Sequence, residues 1–165
     1  MIFDTATFRS VLGRFVTGVT VITTVTPEGA TAGVTVSSFN TLSLEPPLVL
    51  WSLALRAPSL AVFRSSGQFA VNILANDQKA IATQFATRAV DKFAGVDLIK
   101  GLGGLPLIAG AAAHLECEVE QRYPGGDHEL IIGRVLHAVA HGQTPLVYAQ
   151  GLFGDFLAAS EEIGK

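Results

Sequence analysis

Between Gly33 and Ser59 the chain reads GVTVSSFNTLSLEPPLVLWSLALRAPS, and this stretch leaves the fold little choice. Gly33 to Phe39 is a β-branched run, a polar turn ends in Glu45-Pro46-Pro47, and Leu48 to Leu55 is almost unbroken apolar sequence. Two strand-forming runs joined by a turn, with no crossover helix between them, favour antiparallel neighbours. The hydroxyls of the first run fall on both parities, Thr35 and Ser37 on one face and Ser38 on the other. Such hydroxyls suit a polar ligand held beside an apolar wall. They equally suit an ordinary antiparallel sheet with Ser and Thr on its wet face, since Thr is a good strand former.

The remaining segments continue the pattern. Asp4 or Thr5 caps a short helix whose Phe8, Val11, Leu12 and Phe15 share one face, and Gly18 ends it. Gly18 to Thr26 and Ala30 to Phe39 read as a hairpin across Pro27-Glu28-Gly29. A strand from Leu48 to about Ala54 precedes a short helix, Leu60 to Ser65, opened by Pro58-Ser59 and closed by Gly67. Gln68 to Leu74 is a strand, and Asn76 or Asp77 caps a helix running to about Thr87. Arg88 to Gly104 is a long excursion anchored by Phe93, and Pro106 to Gly110 a turn-rich link. Ala112 to Arg122 and His128 to Ala140 are strands around the turn Tyr123 to Asp127, Pro145 to Tyr148 is a last strand, and the tail from Ser160 to Lys165 frays. About six or seven strands and two or three short helices predict a mainly β fold. Joined mostly by turns, they favour a closed or half-closed antiparallel barrel over a doubly wound sheet. Residues 1–165 fit one domain.

Composition adds a demand. Charged residues are 15% and hydrophobic residues 49%, against roughly 25% charged in an average soluble domain. Apolar surface must be hidden beyond a routine core, at a subunit interface or against an aromatic cofactor. The net charge of −3 offers no basic patch for nucleic acid or an anionic membrane. Cys117 is the sole cysteine, which excludes an intrachain disulfide and fits a reducing cytoplasm. The N-terminal residues show no signal-peptide pattern, and Gly101 to Ala113 is too short to span a bilayer, so a soluble protein is expected.

Several chemistries lack their residues. There is no Gly-x-Ser-x-Gly elbow, and Cys117 lies between Glu116 and Glu118, which raise a thiol pKa. His137 and His141 have a chelating spacing without a third ligand, so paired surface or interface histidines are expected and no metal. Gly101-Leu102-Gly103-Gly104 follows no strand and precedes Pro106, which excludes a Rossmann loop. Gly126-Asp127-His128 is a tight hairpin that places a histidine at the first position of the next strand, either at a barrel rim with a task or by accident of the turn.

Taken in order, the motifs Phe15 to Thr24, Gly33 to Phe39, Leu42 to Leu50, Phe69 to Leu74 with Gln78, Lys92-Phe93, Leu115-Glu116-Cys117 and Gly126-Asp127-His128 carry a resemblance. From about Phe8 to Phe156 the chain resembles the flavin reductase family of the FMN-binding split-barrel fold, the partners that supply reduced flavin to two-component monooxygenases. The resemblance implies a Greek-key-like split barrel, a homodimer, FMN or FAD as flavin, NADH or NADPH as reductant, and an oxygenase that receives the reduced flavin. It implies that Thr35, Val36, Ser37, Ser38 and Phe39 line the isoalloxazine and ribityl chain. By the same resemblance Ser52, Leu53, Ala54, Arg56 and Ser59 are expected around the ribityl phosphate, where a helix start is a natural phosphate site. Lys92 and Phe93 are expected to clamp the flavin, with Lys92 near phosphate. His128 is expected to meet the nicotinamide nucleotide, and Phe153, in Gly151-Leu152-Phe153, to close the same pocket. No side chain is assigned a catalytic proton transfer, because the flavin carries the redox chemistry and the protein stacks, orients and polarises. Many members have Asn where this chain has Ser37, a shorter donor and acceptor, a departure that bears on the flavin ring contacts; FMN and FAD both stay open. The alternative is a flavin carrier or redox-sensing module on the same fold.

Overall fold

The computed structural model describes residues 2–88 and 91–159. The tail from Ser160 to Lys165 and residues 89 and 90 of the Arg88 to Gly104 excursion lie outside the described residues. In chain order the elements are α1 (Thr5–Leu12), β1 (Thr17–Gly18), β2 (Thr20–Val25), β3 (Thr31–Val36), β4 (Asn40–Ser43), β5 (Leu48–Ala54), α2 (Leu60–Ser65), β6 (Gln68–Ile73), α3 (Lys79–Ala86), β7 (Leu98–Lys100), β8 (Pro106–Ile108), β9 (Ala113–Gly125), β10 (His128–Ala140), β11 (Leu146–Ala149) and β12 (Leu152–Asp155). The expectation of a mainly β, antiparallel fold with a few short helices is met.

Seven strands form one sheet in the order β3-β2-β6-β9-β10-β5-β4, and every pairing in it is antiparallel. Laid flat, six inter-strand gaps of about 4.8 Å would put the edges about 29 Å apart. The chain nevertheless passes from Val36, ending β3, to Asn40, opening β4. Four residue steps span at most about 14 Å. The sheet is therefore rolled into a barrel whose two edges face each other across a seam at residues 37–39. Ser38 bridges that seam. Its hydroxyl accepts the Ser52 N–H at 3.0 Å and donates to the Ser52 carbonyl at 3.3 Å. In the register Asn40↔Leu50, residue 38 faces residue 52, so a side chain supplies the next rung of the ladder.

The barrel interior is filled from alternate positions. On β5 Val49, Trp51 and Leu53 point inward, and Trp51 meets Phe63 and Phe69 edge-on with centroids 5.1 and 5.7 Å apart. Ile22, Ala32, Val71, Cys117 and Ile131 complete this buried cluster. A second cluster gathers Val21, Leu74, Ala82, Phe85, Ile108 and Leu146, and so ties α3 and the three-stranded sheet β1-β11-β12 to the barrel.

The bounds of β5, α2 and β10 are as expected, while other segments differ. Twelve strands and three α-helices stand among the described residues, against the six or seven strands expected, because several strands are only two to four residues long. The hydroxyl run leaves the sheet at Val36, so Ser37, Ser38 and Phe39 cross the seam instead of alternating on a strand. Asn40 to Ser43 is strand β4, not turn, because it pairs with β5. Pro106 to Ile108 is strand β8, not link. Its backbone accepts from the Thr23 hydroxyl at Pro106 and donates from Ile108 to Asn72 Oδ1. The third helix starts two residues after Asp77, at Lys79, behind Gln78. The Tyr123 to Asp127 turn shrinks to Gly126-Asp127, because β9 stays paired with β10 through Gly125. Pro124 is tolerated there since β9 has no β6 partner beyond Glu118.

Candidate functional site

Two cavities flank the seam strand. The first, of about 260 Å³, opens at the N-terminal half of β3, between Thr31, Ala32 and Gly33 on one wall, Pro58, Ser59 and Val62 on a second, and Arg88, Asp91, Lys92 and Phe93 on a third. The second, of about 1140 Å³, lies at the other end, where Ser37, Ser38, Phe39 and Asn40 face α1, β1 and the β11–β12 turn. The stretch expected to line a flavin is thus divided: Thr35 and Val36 lie between the cavities, Ser59, Lys92 and Phe93 belong to the first, and Ser37 to Phe39 to the second.

Close packing builds the first cavity. Gly33 faces the edge of the Phe85 ring, where an added Cβ would stand 2.4 Å from the nearest ring carbon. No larger residue fits without moving α3. Phe93 meets Phe85 edge-on at 5.0 Å. Gln84 Nε2 donates to the carbonyls of Lys92 and Ala94, and Asp91 Oδ1 accepts the Phe93 N–H. The Lys92 ammonium donates to the carbonyls of Phe85 at 2.8 Å and Gly33 at 3.2 Å, and burial holds its pKa below the usual lysine range. Lys92 therefore clasps its own loop to α3 and β3. Thr35 is occupied in a similar way, its hydroxyl donating to the Ala82 carbonyl at 2.7 Å.

Ser59 stands at the N-cap of α2 in helical backbone conformation and makes no capping bond. The Leu60 N–H already donates to the Ala57 carbonyl, and the helix has six residues. A phosphate here would meet the Ser59 hydroxyl and side-chain cations, not a long helix dipole. The Leu53 side chain is in the barrel core, leaving its backbone alone for a ligand. The alternation of β5 turns the Ala54 N–H to the same side as that of Ser52, toward the seam.

At the rim, Gly126 has φ 67°, the left-handed first position of a two-residue hairpin turn. The Asp127 carbonyl accepts the Leu55 N–H at 2.9 Å, fixing the hairpin tip to the end of β5. Asp127 Oδ1 lies 2.7 Å from His128 Nδ1. That hydrogen bond, with the fields of His128 and Arg56, holds the Asp127 carboxyl below its usual range. An ionised carboxylate only accepts, so Nδ1 carries the proton. Nε2 has no partner among the described residues, on a side chain 42% exposed. Phe153 packs on Tyr148 at 5.4 Å with the Lys79 ammonium 5.8 Å from its ring centre.

Burial, then Glu116, pushes the Cys117 thiol up to about 12. His141 pairs with His114 at 2.9 Å and His137 with Glu116 at 3.0 Å, and no metal-holding cluster occurs among the described residues. Sequence reasoning missed Arg88, Asp91 and Gln84. Two cations in one loop after a helix, Arg88 and Lys92, was the available signal for the first.

With this geometry in hand, comparison with known proteins decides the family. A model described as flavin reductase like domain matches residues 12–156. The chain belongs to that family. It is 41% identical over 151 residues, 91% of this chain and 77% of the other, to the flavin-dependent monooxygenase reductase subunit HsaB of Rhodococcus jostii. It is 40% identical over 153 residues, 93% and 87%, to the FMN reductase (NADH) SmoA of Agrobacterium fabrum. Among solved structures, the NADH:FAD oxidoreductase of Streptomyces globisporus in complex with NAD and FAD fragments superposes with a TM-score of 0.90 at 38% identity, covering 96% of each chain. The split-barrel expectation thus agrees with both the rolled sheet and the relatives.

Proposed function

We propose that this protein is an NAD(P)H:flavin oxidoreductase that reduces FMN or FAD and supplies the reduced flavin to a partner monooxygenase. The observation that carries the reading is the cavity beside β3. The Ser59 hydroxyl and the Arg88 guanidinium both belong to its lining, and neither hydrogen-bonds to a described residue. That donor set fits the phosphate end of a flavin, with the seam at Ser37 to Phe39 and the Ala54 N–H beside its ring system. When bound, the flavin supplies the hydride-accepting chemistry. The chain's own residues position. Gly33 keeps the strand flat against Phe85, Ser38 holds the seam to β5, and backbone N–H groups there offer preorganised dipoles to developing negative charge. Asp127 fixes the His128 ring so that Nε2 can accept from a nicotinamide carboxamide.

A homodimer belongs to this reading. No residue of α1 is buried, and its Phe8, Val11 and Leu12 are exposed, which supports a second copy covering that face. Among the described residues no helix is long and apolar enough to cross a membrane, and the lone buried thiol supports a cytoplasmic location.

The test is steady-state oxidation of NADH and NADPH with and without added FMN or FAD. Turnover that requires free flavin is expected. Tight flavin binding without turnover would instead identify a carrier or sensor module.

A further inference from the structure

We propose that Glu129 is a positioning residue for flavin reduction: through Arg64 it sets the angle of helix α2, and so how a flavin held at the α2 wall meets a nucleotide held at His128. This rests on the reading of the first cavity and the rim histidine as two parts of one site. Glu129 follows His128 on β10. Strand alternation turns it inward with Ile131 and Gly133, beside Leu53 across the ladder, so a carboxylate is buried at the end of the barrel. Its two oxygens are divided. Oε2 accepts from Arg64 Nε at 2.9 Å and Nη2 at 2.7 Å, and Oε1 accepts from Arg122 Nη1 at 3.0 Å. Arg122 also donates through Nη2 to the Phe63 carbonyl at 2.6 Å, within α2. Burial pushes the Glu129 carboxyl up, but the hydrogen bonds from Arg64 and Arg122 outweigh it and hold the group below the usual carboxylate range. Glu129 therefore grips α2 twice, once directly and once through Arg122.

Helix α2 needs such a grip. It has six residues, no side-chain capping bond and one buried side chain, Phe63. Phe63 meets Trp51 edge-on at 5.1 Å, and Ser66, just past the helix, bonds to the Val25 and Gln68 carbonyls. Both anchors lie toward its C-terminal end. A ring in an apolar socket resists withdrawal but leaves rotation cheap, whereas a guanidinium fork meets a carboxylate in a fixed plane. Pro58, Ser59 and Val62, toward the start, line the first cavity. A small swing about Phe63 moves that wall. The Arg64–Glu129 pair ties the swing to the strand that carries His128, one residue away. His128 has separate support, since the Asp127 carbonyl accepts the Leu55 N–H and pins the hairpin tip. Loss of the pair therefore shifts one wall of the site and leaves the other in place.

The experiment compares the full-length protein with Glu129→Gln, Arg64→Met and Arg64→Lys. Glutamine keeps the size of Glu129 but turns N–H donors toward a guanidinium. Two readouts are taken well below the melting temperature: amide hydrogen exchange of α2 without ligands, and single-turnover reduction of saturating FMN by NADH. Glu129→Gln and Arg64→Met are each expected to speed exchange in α2. Both should slow the single turnover about tenfold, since a misplacement near 1 Å can cost about a hundredfold. KM for NADH should stay within error, the reverse of what loss of a nucleotide contact gives. Arg64→Lys, which restores the charge without the fork, should recover part of the rate. Should Glu129→Gln fail to fold, Arg64→Met decides alone, because Arg64 is half-exposed. Faster exchange with an unchanged turnover rate would make the pair purely structural and overturn the proposal, with the reading of the cavity intact. A raised KM for NADH at unchanged rate would overturn it too, because Glu129 would then act on His128 and not on α2. If the unaltered protein binds no flavin, the reading of the cavity fails and the proposal with it.

Discussion

Helices α1 and α3 have eight residues each, and they meet opposite fates. The better-capped helix is the unpacked one. Asp4 Oδ1 accepts the Thr7 N–H at 2.7 Å at the start of α1, yet no residue of α1 is buried, and Val11 is 63% exposed. α3 has no side-chain cap bond, yet it buries Ala82 and Phe85 completely. Gln78 ahead of it bonds instead to the Ala75 N–H and the Ala109 carbonyl, docking the helix to the fold. Capping decides that a short helix exists, worth about 1 kcal/mol. Packing decides what it is for. α3 serves its own chain, holding the wall of the first cavity through Phe85, Gln84 and the Ala82 carbonyl. α1 leaves Phe8, Val11 and Leu12 exposed.

Truncating the α3 anchor should show the largest effect. Phe85→Ala removes the ring that packs on Gly33 and Phe93, and is expected to destabilise by about 3–5 kcal/mol, as for a fully buried phenylalanine. Denaturant unfolding measures it. A loss below about 1 kcal/mol would mean that α3 is as loosely held as α1 and would erase the contrast.

The α1 stripe should respond in assembly, not in fold. Val11→Glu in α1 with Phe15→Glu just beyond its end places charges on two exposed apolar positions. If a second copy buries both residues, losing about 1.5 kcal/mol or more at each raises the dimer dissociation constant about a hundredfold or more. Light scattering should then show monomer where the unaltered protein is dimeric, with an unchanged far-ultraviolet dichroism spectrum. Persistence of the dimer would show that another surface joins the copies.

These two helices also mark what the sequence could convey. Elements with hard punctuation came out at their bounds: Pro47 ahead of β5, Pro58-Ser59 ahead of α2, Gly126-Asp127 ahead of β10. Elements held by distant partners did not. β8 depends on Thr23 and Asn72, and β4 is a polar segment that becomes a strand only beside Leu48 to Leu50. The site shows the same division. Donor-rich residues were visible along the chain, but not which groups would take the donors. Thr35 gives its hydroxyl to residue 82, Ser38 to residue 52, and Lys92 its ammonium to residues 33 and 85. A hydroxyl or ammonium becomes available to a ligand only when the fold leaves it unmatched, and that is settled across tens of residues. The apolar stripe of α1, by contrast, was visible as a stripe, and nothing within one chain could say what covers it.

The rim histidine gives the smallest expected effect and a control for both helices, since among the described residues no hydrogen bond or ion pair ties its side chain to either. His128 pairs with Ala54 and Gly125 in the sheet, and its side chain hydrogen-bonds to the Asp127 carboxylate at 2.7 Å, its one hydrogen-bond partner among the described residues. That carboxylate fixes Nδ1 as the donor, so Nε2 is the atom offered outward. If Nε2 accepts one hydrogen bond from the nicotinamide nucleotide, His128→Ala removes about 1–1.5 kcal/mol and raises KM for NADH about tenfold. Hydride transfer from bound nucleotide should fall much less, because the residue holds and does not transfer a proton. Flavin dissociation constants and the melting temperature should stay within error, unlike those of the Phe85 variant. Asp127→Asn sharpens the assignment: it removes the charge that holds the tautomer while keeping the turn, and should raise KM by less than the alanine change does. Steady-state kinetics in NADH, with a melting curve of each variant, decide the matter. A lowered melting temperature with unchanged KM would make His128 a turn residue and nothing more.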